Sequence, residues 1–283
     1  MLSRFARMPA TMPDNHSDPF DLEAYLARVG HDGPAVADLA TLRAIHIGHV
    51  GTIPFENLDI QMGLPIRLEP DAILAKLVRR RRGGYCFEQN SLLSMALTAI
   101  GFDVTRRVAR VRMGGDPGGR SHLMLLVTIA GQAYVCDVGF GGSCLAEPLP
   151  LIAGEYDSAG DRWRLRTSDW SPGWELEVWR DGCWFGLYWF GQEEVVEYDL
   201  IFGNHYTSTH PASRFVQNRV AARTTLTERH TLLNGLYRRR LRGELVEEMQ
   251  ITDEATFRHI LVERFMIDLP EGAVLKPIEG IAP

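Results

Sequence analysis

Three residues of the sequence carry side chains that together suit nucleophilic chemistry. Cys86 follows a glycine pair in the segment RGGYCFEQN, at positions 82–90, and opens a predicted helix. His122 lies in an apolar, strand-like segment, and Asp137 precedes the segment VGFGG. A thiol nucleophile needs a base that takes its proton and a group that orients the base. These residue types therefore predict Cys86 as nucleophile, His122 as base and Asp137 as orienter.

The position of Cys86 at a helix start favours this chemistry. Only the thiolate is a good nucleophile, and the unpaired N–H groups and positive dipole end of a first helical turn stabilise an anion. The imidazole of His122 would hold the thiol proton as imidazolium. Gly83 and Gly84 allow a sharp turn and leave room for an approaching acyl group. The amides around Cys86 are candidate donors to an oxyanion.

Each of these residues alone also fits a structural role, as a small buried thiol, a core histidine or a turn acceptor. The chemical interpretation depends on their meeting in space. His122 and Asp137 lie on neighbouring predicted strands joined by a short glycine turn, so their side chains can meet. Cys136 should then face the opposite side. With Cys144 and Cys183, it is predicted to be structural.

Composition narrows the class of protein. The 283 residues are 45% hydrophobic, and a net charge of -6 gives no general attraction to nucleic acid or anionic membranes. Four cysteines without a Cys-x-x-Cys pair argue against a zinc knuckle and favour a reducing, cytoplasmic location. No apolar run reaches the length of a membrane span, and no secretory signal is visible. The sequence predicts neither a metal site nor a permanently bound cofactor, and it leaves the oligomeric state open.

Hydrophobic periodicity changes along the chain from helical to strand-like. Helices are predicted to start at Asp21, Asp38, Pro70 and Cys86. A further helix starts near 252 or 253. This order predicts an α+β protein of several subdomains. Strands are predicted at 104–111, 123–129, 133–138, 161–167, 174–179, 183–190 and 220–224, with long connections at 113–119 and 148–158.

Several motifs resemble those of the arylamine N-acetyltransferases. The segment at 82–90 resembles the nucleophile signature of that family along its whole length. The segments around His122 and Asp137 resemble its other two catalytic stretches, in the same chain order. IPFENL at 53–58 and NHYTSTHP at 204–211 resemble two further motifs. The similarity runs from about Phe20 to near the C-terminus, so the sequence is identified as a member of this family.

The resemblance implies a particular fold and reaction. The fold is a helical bundle (20–101), a β-barrel (102–203) and an α/β lid (204–283), with a cysteine-protease-like Cys-His-Asp core. Residues 1–19 are expected to form a flexible extension. The donor is acetyl-coenzyme A as co-substrate, the acceptors are arylamines or aryl hydrazines of xenobiotic metabolism, and the reaction is ping-pong through an acetylated Cys86. Phe202 and Ser208 are candidates for contacts with coenzyme A, although a structural role fits each equally well.

Other functions stay open at this point. A Cys-His-Asp hydrolase or transglutaminase-like enzyme would pass the acyl group to water or a peptide amine. A macrolactam-closing amide synthase would use a carrier-bound acyl chain. A binding module that retains the fold would have a thiol inert to iodoacetamide. Glu56 is expected to be a structural partner of Arg82 or of a backbone amide rather than a catalytic acid.

Overall fold

Helices form the first part of the protein, whose structure, a computed structural model, describes residues 20–282. The predicted extension at 1–19 lies outside the described residues. The predicted helix starts are confirmed: Asp21 and Asp38 accept hydrogen bonds from Ala24 N and Thr41 N, and Pro70 occupies a first-turn position. Within the described range, no helix combines the length and apolar character needed to cross a bilayer. The elements are α1 (Leu22–Val29), α2 (Leu39–Thr52), strand β1 (Phe55–Glu56), α3 (Leu58–Gln61), α4 (Pro70–Ile73, continued by a π-helical turn, Leu74–Arg79) and α5 (Cys86–Ile100).

The central part of the chain forms an antiparallel eight-stranded sheet that curls into a nearly closed barrel. The predicted strands of this region are confirmed within a few residues at each end. The predicted long connection at 148–158 is wrong, because it contains two short strands that lie at the two ends of the strand order. The strands are β2 (Asp103–Val111), β3 (Arg120–Ile129), β4 (Gln132–Cys136), β5 (Leu149–Pro150), β6 (Gly154–Ser158), β7 (Asp161–Thr167), β8 (Trp174–Arg180) and β9 (Cys183–Phe190), in the order β5-β4-β3-β2-β9-β8-β7-β6.

The last part of the chain adds a second, five-stranded sheet with helices around it. Its first strand is β1, so the segment that precedes α5 pairs with a strand more than 160 positions later. Helix α6 was not predicted, and the expected boundary between residues 203 and 204 falls inside it. The elements are α6 (Glu197–Thr209), α7 (Arg214–Gln217), β10 (Val220–Thr224), β11 (Glu228–Leu233), β12 (Leu236–Leu241), β13 (Glu244–Gln250) and α8 (Glu254–Phe265), with sheet order β1-β10-β11-β12-β13.

A buried hydrophobic cluster around Cys86 lies where these three parts meet. Phe87 lies on α5 and Tyr85 directly precedes this helix. Leu123 comes from the barrel, and Ala222 from the second sheet. Three other clusters fill the helical part, the barrel interior and the face between the second sheet and α8. Because burial of apolar surface holds each part together, Cys86 is fixed by all three parts at once.

Candidate active site

Cys86 is the first residue of α5, as predicted. Its side chain is 3% exposed, and Sγ lies 3.8 Å from the carbonyl oxygen of Ser121. The Glu88 carboxylate accepts a hydrogen bond from Tyr85 N at 3.1 Å, which satisfies one amide of the helix start. Glu88 N donates to the carbonyl oxygen of Tyr85 at 3.0 Å. Among residues 20–282, the amides of Cys86 and Phe87 have no acceptor, so these two can stabilise negative charge at Sγ or on a bound acyl oxygen.

His122 and Asp137 meet, as the neighbouring positions of their predicted strands allowed. His122 lies on β3, Asp137 directly follows β4, and Nε2 of the imidazole is 2.7 Å from Oδ2 of the carboxylate. Both side chains are buried. Since Nε2 is engaged by Asp137, Nδ1 is the ring nitrogen that remains for Cys86. Cys136 packs into the core behind the site, on the opposite side of the strand, as expected.

Asn90 links α5, which carries Cys86, to the segments that carry His122 and Asp137. The sequence analysis did not predict this role. Its Nδ2 donates to Oδ1 of Asp137 at 3.0 Å and to the carbonyl oxygen of Leu123 at 2.7 Å, while its Oδ1 accepts from Val138 N at 3.1 Å. The available signal was its spacing, because Asn90 lies one helical turn after Cys86 and therefore on the same face of α5. An amide on the buried side of an apolar helix needs partners, and here those partners are the strands that carry His122 and Asp137.

Gly139 allows the loop after Asp137 to contact α5. A Cβ atom at this position would lie 2.7 Å from the Cα of Cys86 and 2.7 Å from Nδ2 of Asn90. Both distances are shorter than van der Waals contact. Any larger residue would push the Asp137 loop away from α5, so the glycine is a requirement of the site geometry.

The opposite charges of His122 and Asp137 stabilise each other. Burial alone lowers the pKa of His122, but the Asp137 carboxylate and the contact with Cys86 outweigh it and raise that pKa to about 10. For Asp137, burial raises the pKa, and His122, Asn90 and the Gly139 amide together hold it below its usual value. His122 is therefore protonated at neutral pH, which suits an imidazolium that faces a thiolate.

Cys86 and His122 open into a cavity of about 900 Å³ between the barrel, α6 and the second sheet. Tyr206 lines this cavity and also a smaller neighbouring one, which Phe202 lines as well. Phe202 is 69% exposed, whereas Ser208 lines neither cavity and donates its hydroxyl to the carbonyl oxygen of Asn204 at 2.7 Å. Of the other thiols, Cys144 is buried, which agrees with its predicted structural role. Cys183 is exposed, so burial in a core does not account for its presence.

A buried network of charges surrounds the start of α5. Glu56 accepts from Nε and Nη2 of Arg82 at 3.0 and 2.7 Å and from Leu58 N at 2.7 Å, which confirms its expected structural role. Lys76 lies 2.8 Å from Asp59 and 2.8 Å from Glu88. Although burial opposes its charge, the neighbouring carboxylates raise the pKa of Lys76 well above its usual value. This network fixes the turn that presents Cys86.

Replacing Lys76 by methionine should destabilise the protein, because the buried Glu88 carboxylate loses its cation and the partly buried Asp59 keeps only Arg82. Removal of one partner from a buried ion pair typically costs about 3–5 kcal/mol. The loss is measured as a fall in the free energy of unfolding in urea. The matched control is Lys276→Met, at the exposed lysine near the C-terminus, which should leave the free energy unchanged.

A second substitution tests the cause. If the loss arises from uncompensated charge, Glu88→Gln introduced together with Lys76→Met should recover part of the lost stability. Equal unfolding free energies for Lys76→Met and the native protein would show that the network contributes little.

A buried thiol at a helix start, beside a histidine bound to a carboxylate, is the arrangement of thiol-dependent enzymes. Comparison with known proteins specifies the family. A family model described as N-acetyltransferase matches residues 38–274. An arylamine N-acetyltransferase from Mycolicibacterium smegmatis is 39% identical over 260 residues, covering 89% of this chain and 94% of the relative. One from Escherichia coli is 33% identical over 256 residues, covering 89% and 90%.

Solved structures agree with these sequence matches. The arylamine N-acetyltransferase from Salmonella typhimurium superposes with a TM-score of 0.84 at 30% identity, covering 89% of this chain and 94% of the other. The Mycobacterium marinum enzyme in complex with CoA gives 0.82 at 35% identity, covering 87% and 93%. The chain belongs to the arylamine N-acetyltransferase family.

Proposed function

We propose that this protein transfers an acetyl group from acetyl-coenzyme A to the nitrogen of arylamines and aryl hydrazines, through an acetylated Cys86. The observation that carries the proposal is the buried His122–Asp137 pair beside Cys86, at the base of a cavity large enough for a substrate. The family relationship supports the donor and acceptor classes. The helical part, the barrel and the C-terminal lid would then each supply one wall or one catalytic group.

In the first half-reaction, the Cys86 thiolate attacks the thioester carbonyl of the donor. The amides at the start of α5 stabilise the oxyanion that forms, a contribution of about 3–4 kcal/mol per donor in comparable sites. When the intermediate collapses, the carbon–sulfur bond to coenzyme A breaks. His122 gives its proton to the departing thiolate, which leaves as the free thiol, and the acetyl group remains on Cys86.

In the second half-reaction, the amine nitrogen attacks the acetyl carbonyl of the thioester at Cys86. Neutral His122 accepts the proton that the nitrogen loses, and the Cys86 thiolate leaves. The products are the acetylated amine and the original thiolate–imidazolium pair. Because donor and acceptor react in separate steps, one cavity serves both in turn, which is the basis of ping-pong kinetics.

Of the two residues predicted to contact coenzyme A, Phe202 is the better placed. Its ring is exposed on α6 and lines the smaller cavity beside the main one, where it offers an apolar surface to the donor. The hydroxyl of Ser208 is hydrogen-bonded within α6. We therefore keep Phe202 as a donor contact and assign Ser208 a supporting role in the helix.

The decisive test is intact-protein mass spectrometry after mixing the enzyme with acetyl-coenzyme A in the absence of an acceptor, followed by peptide mapping. One acetyl group on the Cys86 peptide, discharged when anisidine is added, is the expected result. The exposed thiol of Cys183 should stay unmodified under the same conditions and serves as the internal control.

The contrary results have distinct meanings. An acetyl group that is lost at the same rate with and without an arylamine would indicate hydrolysis rather than transfer. If no adduct forms while Cys86 still reacts rapidly with iodoacetamide, the donor is not acetyl-coenzyme A.

A further inference from the structure

A chain of hydrogen bonds runs through the buried core from α1 to the turn that precedes α5. The hydroxyl of Tyr25 lies 2.9 Å from Nδ1 of His49, and Nε2 of His49 lies 2.7 Å from Oε1 of Gln89. The other end of the Gln89 amide contacts the carbonyl oxygens of Pro54 at 2.7 Å and Gly84 at 3.2 Å. Tyr25, His49 and Gln89 are fully buried, and the proposed acyl transfer gives none of them a role.

The last member of the chain fixes the direction of every bond in it. Nε2 of Gln89 faces three carbonyl oxygens, the third being that of Ile53 at 3.3 Å, so this end of the amide must be the NH₂ group. The amide oxygen therefore faces His49, whose Nε2 must carry the ring proton. Nδ1 of His49 is then an acceptor, and the hydroxyl of Tyr25 donates to it. Burial lowers the pKa of His49 to about 3, so the ring is neutral at pH 7, as this arrangement needs.

Gln89 contacts both peptide units that lie directly before the N–H group of Cys86. The carbonyl oxygen of Gly84 accepts from Nε2 of Gln89 and, at 3.0 Å, from the amide of Glu56. The carbonyl oxygen of Tyr85 accepts from the main-chain amide of Gln89 at 2.9 Å. Because a peptide unit is planar, a fixed Tyr85 carbonyl also fixes the direction of the Cys86 N–H group.

Close backbone packing makes this turn depend on the Gln89 side chain. A Cβ atom at Gly83 would lie 2.1 Å from the carbonyl oxygen of Pro54, so the two segments are in direct contact. Pro54 and Gly84 are buried, and buried carbonyl groups need donors. Without the Gln89 amide, the Pro54 carbonyl would keep only the amide of Gly84, at 3.3 Å.

From these contacts we propose that Gln89 and His49 are positioning residues for acyl transfer, which hold the Cys86 amide in place as an oxyanion donor. The assignment rests on the proposed function and adds to it the groups that fix this donor. A hydrogen-bond donor stabilises a transition state best when it is already oriented before the reaction. The next residue of α5, Asn90, binds the carboxylate that orients the base, so two successive side chains support the two halves of the site.

Acylation and alkylation of the same thiol separate this role from a general effect on the fold. Acylation passes through a tetrahedral oxyanion, whereas displacement of iodide from iodoacetamide forms none. 4-Nitrophenyl acetate is a suitable acyl donor: the Cys86 thiolate attacks the ester carbonyl, the carbon–oxygen bond breaks and 4-nitrophenolate leaves. A change confined to the oxyanion donors should therefore slow the burst of nitrophenolate and leave alkylation unaffected.

The test measures both rates at pH 7 in variants of the chain. In Gln89→Met the burst rate should fall about 10- to 100-fold, because the oxyanion donor is displaced rather than removed. The alkylation rate at Cys86 should stay within about threefold of the native value, since the thiolate keeps its imidazolium partner. His49→Phe should behave in the same way, and His49→Gln, which again offers an N–H group to Gln89, should recover most of the burst rate. The matched control is Gln192→Met, at an exposed glutamine after β9.

The contrary results are equally specific. Parallel losses of acylation and alkylation would show that the chain only supports the fold, and an unchanged burst rate in Gln89→Met would show that the amide keeps its direction without it. The two His49 variants decide the question even if Gln89→Met does not fold, because equal impairment in both would exclude the proposed hydrogen bond. A native protein that alkylates rapidly at Cys86 but gives no burst would overturn acyl transfer itself.

Discussion

Replacing Cys86 by serine is expected to abolish acetyl transfer, with a fall in kcat/KM of at least about 10³-fold. In the proposed mechanism the His122–Asp137 pair holds one proton next to a thiolate, and a serine hydroxyl is far too weakly acidic to give up its proton in the resting enzyme. The side chain is 3% exposed in a packed cluster, and serine is nearly isosteric, so the fold should persist. The measurement is the rate of coenzyme A release with anisidine as acceptor.

The control is Cys183→Ser, at the exposed thiol outside the cavity, which should keep native rates. Urea unfolding of Cys86→Ser should give a native-like transition, which separates loss of chemistry from loss of structure. Substantial turnover by the serine protein would remove Cys86 from the mechanism. An acetyl group mapped to another residue of that protein would identify a different nucleophile.

Local signals in the sequence were sufficient for much of the fold. Asp21 and Asp38 precede apolar helical patterns, and each caps the helix that was expected. The glycine stops at Gly30 and Gly101 adopt the left-handed conformation that ends a helix. Strands with alternating or β-branched residues were also predicted correctly, because their signal is local as well. In each case the signal and the structure that it specifies lie within a few residues of one another.

The contacts that the sequence did not reveal join residues that lie far apart in the chain. β1 pairs with β10, Arg82 and Lys76 share Asp59, and Asn90 reaches across to Asp137. Helix α6 was missed because its apolar residues do not all face inward. Phe202 and Tyr206 are exposed, so the usual one-sided pattern is absent. Tertiary packing decides such elements, and one sequence does not encode it locally.

The candidate catalytic residues were predictable for a different reason. Cys86, His122 and Asp137 each lie in a short segment whose composition is unusual for a purely structural element. The resemblance of these segments to the motifs of arylamine N-acetyltransferases then predicted that the three residues act together. The predicted strands also allowed His122 and Asp137 to be close, and their side chains are 2.7 Å apart.

Replacing Asp137 by asparagine should lower the rate at which Cys86 reacts with iodoacetamide at pH 7 by about 10²–10⁴-fold. The surroundings determine how the new amide points. Asn90 Nδ2 and the Gly139 amide both donate to Oδ1, so they will hold the amide oxygen there. The NH₂ group must then face Nε2 of His122, where it acts as a donor.

That orientation fixes the wrong tautomer of the histidine. With Nε2 accepting from the amide, the ring proton moves to Nδ1, the nitrogen that faces Cys86, and the ring can no longer take the thiol proton. The pKa of His122 also falls from about 10, since the Asp137 charge is a principal cause of its elevation. In the variant, the proposed imidazolium partner of the thiolate is therefore lost at a lower pH than in the native protein.

The pH profile separates this account from simple damage to the fold. In the native protein the alkylation rate at Cys86 should be high at neutral pH, whereas in Asp137→Asn it should rise only at alkaline pH, where hydroxide removes the thiol proton. Cys183 provides the reference within each molecule, because its exposed thiol should alkylate at the same rate in both proteins. An unchanged rate at Cys86 would show that the carboxylate only supports the loop. A parallel loss at Cys86 and Cys183 would point instead to the assay conditions.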